Sequence, residues 1–161
     1  MTYNADIETS PEPGMIVDDT VSNDLVDMIE TIISSLDQND SAMVRHAEGG
    51  HLWRFEYGSV DLFVQLTGTT DDDTFTVWSK VLTLPVQNET QLMRKLLEMN
   101  WSDTFEACFC ILGSDQEAQV VVSTTRAVEE ISPGEISRNI TIVATIADEQ
   151  DEALAAEFPA A

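Results

Sequence analysis

The order in which hydrophobic periods follow one another along this chain restricts its fold more than any single residue does. Leu25, Ile29, Ile32 and Leu36 recur at helical spacing, with Val26 and Ile33 widening the stripe. Between Leu52 and Val86 the period drops to two. Trp53, Phe55 and Tyr57 alternate with Arg54 and Glu56, then Val60, Leu62, Val64 and Leu66 alternate with Asp61 and Gln65, and Phe75–Val86 makes a third run. Helical spacing returns over Glu89–Asn100. Strand-like runs follow at Phe105–Leu112 and Ala118–Thr125, and a last helix starts at Pro133. Strands that succeed one another without intervening helices pair antiparallel through short turns. The order α-β-β-β-α-β-β-α therefore predicts an α+β domain, an antiparallel sheet with helices mainly on one face.

Local signals sharpen these boundaries. Gly58-Ser59, set between two alternating runs, is the Gly-first pair expected of a type II′ hairpin turn. Ser22 is placed to cap the first helix, and Asn88 with Gln91 to form a capping box on the second. Ser132-Pro133-Gly134-Glu135 combines a cap, a first-turn proline and a third-position glutamate. The polar connector Asp37–Gly50 holds a candidate short strand at Met43–Arg45.

A length of 161 residues suits one domain, expected over 21–161. Residues 1–20 are poor in core residues, contain Pro11 and Pro13 and lack Lys and Arg, and so are expected to be a flexible acidic lead-in. Thirty acidic residues against seven basic give a net charge of −23. That field repels phosphate backbones and anionic lipid, which argues against nucleic acid and membrane surfaces as partners. The chain shows no basic-then-apolar leader and no run of 18 apolar residues, so a cytoplasmic location is expected.

Chemistry-bearing groups are sparse. Asp71-Asp72-Asp73 lacks the ligand alternation, central glycine and final glutamate of a calcium loop and is expected to be a solvated hairpin tip. His46, His51, Cys108 and Cys110 could make four zinc ligands on paper, but their spacing matches no zinc module. The cysteines, two apart on one strand face and poorly placed to bond each other, are expected to be small core residues. Two histidines in one polar stretch, with no Gly-x-Ser-x-Gly, give a nucleophile no base or orienter. Gly49-Gly50 is not followed by Gly-Lys-Ser/Thr and so is no phosphate loop. No catalytic residue, metal or cofactor is expected.

Contact surfaces are the better candidates. On the second helix Leu92, Met93, Leu96, Leu97 and Met99 span about 160°, wider than the ~100° that a helix lying on a sheet buries. Leu92, Met93 and Leu97 are therefore candidate interface residues and predict a homodimer. Trp78, on a partly polar strand face with Lys80 and Leu82, and Trp101, beyond the apolar end of that helix, are candidates of the same kind.

The element order, size and acidity resemble the type III secretion chaperones, and more closely their YbjN-type relatives, bacterial sensory-transduction regulators. The resemblance covers about Ser22 to Ala156. It is carried by Leu52–Leu66, Phe75–Val86, Asn88–Trp101 and Phe105–Thr125. The chaperone class implies small acidic homodimers that hold extended client segments without ATP, and no family residue with an assigned role maps onto this chain. The expected function is a non-enzymatic cytoplasmic protein-binding or chaperone-like regulator. The alternative is a small-molecule or metal-sensing module, using a pocket between helix and sheet or the Cys/His set.

The acidity has measurable consequences. Moderate salt is expected to raise the melting temperature by screening repulsion within the folded state. Acidification toward the sequence pI near 4.1 should promote self-association as the net charge vanishes. Melting curves at low and moderate ionic strength, with light scattering across the pH range, check both. A melting temperature indifferent to salt would mean that the charges are too dispersed, or too well paired, to matter.

Overall fold

The computed structural model describes residues 19–47, 50–114 and 117–161. Alternation of apolar and polar residues builds the sheet first. β1 (Met43–Ala47), β2 (Gly50–Tyr57), β3 (Val60–Leu66), β4 (Thr74–Thr83), β5 (Cys108–Leu112) and β6 (Gln119–Ala127) form one sheet in the order β1-β2-β3-β4-β6-β5, every pair antiparallel. α1 (Asp19–Leu36), α2 (Glu89–Ser102) and α3 (Pro133–Glu157) complete the chain. The order matches the expectation from hydrophobic period, with the candidate strand at Met43 realised as β1.

The β2–β3 hairpin turns at Gly58-Ser59, Tyr57 pairing with Val60. Gly58 has φ +55 and Ser59 has no positive φ, as a type II′ turn requires. Phe55, Leu62, Val64, Val77, Val120 and Val122 are fully buried on the helix side of the sheet. α3 lies across them with Ile136, Ile140, Val143, Ala147 and Leu154 all fully buried, the stripe its 3.6-residue period predicts. Ala144 is buried there too, and with Ala147 it lets the helix backbone approach the sheet closely. α1 packs beside α3 through Ile29 and Ile33, and the Trp53 indole N–H donates to Glu30 Oε1 at 3.2 Å. Among the buried polar residues, Ser79 Oγ donates to the Asp61 carbonyl at 2.8 Å and Thr124 Oγ1 to Asn139 Oδ1 at 3.3 Å. No helix among the described residues is long and apolar enough to cross a membrane.

Several local expectations are corrected. α1 begins at Asp19, so Ser22 sits within the helix rather than capping it. Asp19 and Thr20 are likewise helical, and the rest of the expected flexible lead-in, residues 1–18, lies outside the described residues. Asn88 adopts a left-handed backbone, φ 57, and its side chain makes no capping bond, so the capping box with Gln91 does not form. The first turn of α2 is anchored by the Asn88 carbonyl instead, which accepts from the N–H groups of Gln91 (2.9 Å) and Leu92 (3.1 Å). Asparagine tolerates this conformation better than most residues. At α3 the box does form: Glu135 N–H donates to Ser132 Oγ at 3.2 Å and Ser132 N–H to Glu135 Oε2 at 2.9 Å.

The Asp71-Asp72-Asp73 stretch is the β3–β4 turn, and its third carboxylate is consumed by the turn itself. Asp73 Oδ2 accepts from the Thr70 hydroxyl (2.6 Å) and N–H (2.9 Å), and Oδ1 from the Thr67 hydroxyl (2.9 Å). Those bonds, led by the Thr70 hydroxyl, hold the Asp73 carboxyl below its ordinary value of 3.8. Asp71 and Asp72 are exposed, as a solvated tip requires.

Two measurements test these local devices. Ser132→Ala removes the α3 cap and is expected to cost about 1 kcal/mol. That corresponds to a fall of about 3 °C in melting temperature for a chain of this size. Asp73→Asn should lower the melting temperature at neutral pH. Because the folded-state carboxyl is more acidic than the unfolded one, its contribution is complete above 3.8 and is lost as pH falls through the folded-state value. The gap between native and variant should therefore close in that acid window, and a gap that persists there would detach the effect from the charge.

Candidate protein-binding surface

α2 divides its wide apolar arc between two environments. Leu92 is fully buried and Leu96 nearly so, while Met93 and Met99 are half-buried against the core. Leu97 is 70% exposed and Trp101, one turn further, 94% exposed. Residues four apart on a helix are neighbours, so these two form one outward stripe. Phe105, just beyond the helix end, is 88% exposed on a left-handed backbone with φ 52. Of the expected interface residues, Leu92 is corrected: its full burial makes it core, because the inward side of the arc is used up inside the subunit. Met93 is mostly committed to the core. Leu97 and Trp101 remain outward, and Phe105 joins them. The strand-like run at Phe105–Leu112 concealed that residue, since β5 begins only at Cys108.

The position of α2 follows from the sheet edge. β5 is an outer strand, with backbone groups on one side facing away from β6. The Asn100 side chain covers them at Phe109, its Nδ2 donating to the carbonyl at 3.2 Å and its Oδ1 accepting from the N–H at 2.7 Å. Asn100 therefore acts as a one-residue strand neighbour and ties α2 to β5. Ile111 and Leu112, further along β5, are exposed. Trp78 lies on the opposite, helix-free face, half-buried and stacked on Phe63 with centroids 5.4 Å apart. It does not join the α2 stripe.

Charge separates α2 from its surroundings. α2 holds Glu89 and Glu98 against Arg94 and Lys95, so it is neutral in a chain of net charge −23. Arg94 pairs with Glu98 at 2.9 Å along the helix, and Lys95 with Glu157 at the end of α3. α1 and α3 are strongly acidic by comparison. The exposed apolar stripe therefore stands on the one helix of the three without net charge.

The paper zinc set is not assembled. His51 stacks on Trp53 (5.3 Å) toward the helices, whereas Cys108 and Cys110 are exposed on the other face of the sheet. β2 and β5 are four strand spacings apart, about 19 Å at 4.8 Å each. The His46 side chain lies outside the described residues, and among those described no three His, Cys, Asp or Glu side chains are grouped to hold a metal. The exposure of the cysteines also corrects their expected place in the core. Phe109 takes the inward position between them, and alternation turns both thiols outward.

No curated protein matches the chain. Among solved structures, YbjN from E. coli, "a putative transcription regulator", is similar with 12% identity and a TM-score of 0.49, over 83% of this chain and 93% of that one. The family YbjN, "Putative bacterial sensory transduction regulator", matches residues 25–156, which run from the first turns of α1 almost to the end of α3. The chain belongs to the YbjN family.

Proposed function

We propose that this YbjN-family protein is a non-enzymatic cytoplasmic regulator that works by binding other proteins, as a homodimer joined through α2. The observation that carries the proposal is the exposed Leu97–Trp101 stripe on the one neutral helix. Burying a side chain of this size is worth about 1.5–3 kcal/mol. Tryptophan is also the residue type most enriched among the few that dominate interface energies. A second copy is the fitting occupant. A basic partner would gain more at α1 or α3, where the acids are, whereas a −23 subunit approaching its like loses least at α2. Screening over about 8 Å at physiological ionic strength weakens the residual repulsion. With α2 spent on the dimer, the acidic surfaces of α1 and α3 stay free for a basic client segment, held in a chaperone-like way without cofactor or ATP.

Sedimentation equilibrium in moderate salt separates the outcomes. The native protein should be dimeric at tens of micromolar and Leu97→Glu monomeric with an unchanged far-UV spectrum. A monomeric native protein overturns the dimer, and a dimer indifferent to the substitution moves its interface away from α2. Capture of clients from native lysate at low and high salt then tests the acidic surfaces. A recurrent partner with a basic segment, released by salt, is the expected result.

A further inference from the structure

The Cys108 and Cys110 side chains stand on the helix-free face of the outer strand β5, both exposed and both free thiols. Their strand neighbours on β6 are Ser123 and Val121, so no acid, base or third ligand is interposed across the pair. Two residues apart on an antiparallel strand, their α-carbons lie about 7 Å from each other. That spacing stands at the upper limit of what a disulfide accommodates, well beyond the usual value of about 5.5–6 Å.

A span at the limit for a sulfur–sulfur bond suits two metal–sulfur bonds better. At about 2.3 Å each these place the sulfurs roughly 4.6 Å apart. From the paired thiols on one exposed strand face, we infer that Cys108 and Cys110 form a two-coordinate site for a soft monovalent cation, copper(I). Thiolates select soft cations. Zinc demands four ligands, and the described residues offer no third His, Cys, Asp or Glu near the pair. On binding, each thiol releases its proton to solvent as its sulfur bonds the cation. The neutral pair becomes a bis-thiolate cation complex with one negative charge, and no electron is transferred. The surrounding field of a −23 chain raises the local concentration of cations. The pair is on the opposite face of the sheet from the helices, so the site does not rest on the α2 dimer.

The test is an anaerobic titration of the reduced full-length chain with copper(I), using bicinchoninate as a coloured competitor. The native protein should withdraw one copper(I) per chain, and Cys108→Ser and Cys110→Ser should each lose at least tenfold in affinity. Both positions are exposed, so both variants should keep the native far-UV spectrum and melting temperature. Failure of the native chain to compete for copper(I) overturns the site. So does undiminished binding by either variant, or one copper per two chains. Zinc should not be retained through gel filtration, and stoichiometric zinc lost in Cys110→Ser would replace the two-coordinate site with a different one.

Discussion

The packing of α3 across the middle of the sheet is the contact on which the other elements depend. A helix of 25 residues runs about 37 Å, long enough to cross every central strand. Its two ends are fixed by different means. At the start, the Ser132–Glu135 box satisfies the first turn. At the far end, Phe158 is buried and the last residues return to the sheet side, with Gln87 N–H on the Pro159 carbonyl at 2.9 Å and a bridge between Val86 and Ala160. In between, Asp148 and Asp151 grip the β2–β3 turn. Ser59 N–H donates to Asp148 Oδ1 at 2.8 Å and the Ser59 hydroxyl to Asp151 Oδ2 at 2.7 Å. The turn accepts this grip only because Gly58 has no side chain. A Cβ there would lie 2.0 Å from Asp148 Oδ1.

Once α3 holds the centre, the flanking helices have unequal positions. α1 has a helix on one side and β2 beneath it, with Glu30 closing on the Trp53 indole. α2 sits at the far edge beside β5, where the sheet ends, and is secured by Leu92, Leu96, the Asn100 clamp on Phe109 and the Lys95–Glu157 pair. Nothing among the described residues stands beyond it. An edge helix with an apolar arc of about 160° cannot bury all of it on one side, so Leu97 and Trp101 follow from topology as much as from composition.

Period and turn chemistry made most of this legible in advance. The hairpin at Gly58-Ser59, the stripe from Ile136 to Leu154 and the Ser132 box all follow from local rules that the tertiary structure reinforces. The misses share a cause. Asn88 resembles a cap, but the chain turns into α2 through a left-handed backbone at this residue, five positions after β4 ends, and its side chain is left without a capping bond. Leu92 and Leu97 are equally apolar. Only the position of α3 and the sheet decides which is core, and no single sequence encodes that position directly. In Cys108–Leu112 both alternating sets are apolar, so periodicity could not say which set faces the helices.

The distribution of charge gives this arrangement its selectivity. Of the three helices, α1 and α3 carry net negative charge, while α2 balances its own charges and exposes tryptophan and leucine. Several of the basic groups are tied down: Arg54 to Asp61, and both Arg126 and Arg138 to Glu106. A net charge of −23 opposes indiscriminate association, and α2 is the one helix of the three that adds nothing to it. The sheet's other face, with the Phe63–Trp78 stack and the two thiols, is separated from that helix by the full thickness of the sheet. Binding on one side therefore need not disturb the other. Coupling between them would have to pass through β5, the one strand that carries both the Asn100 clamp and the cysteines.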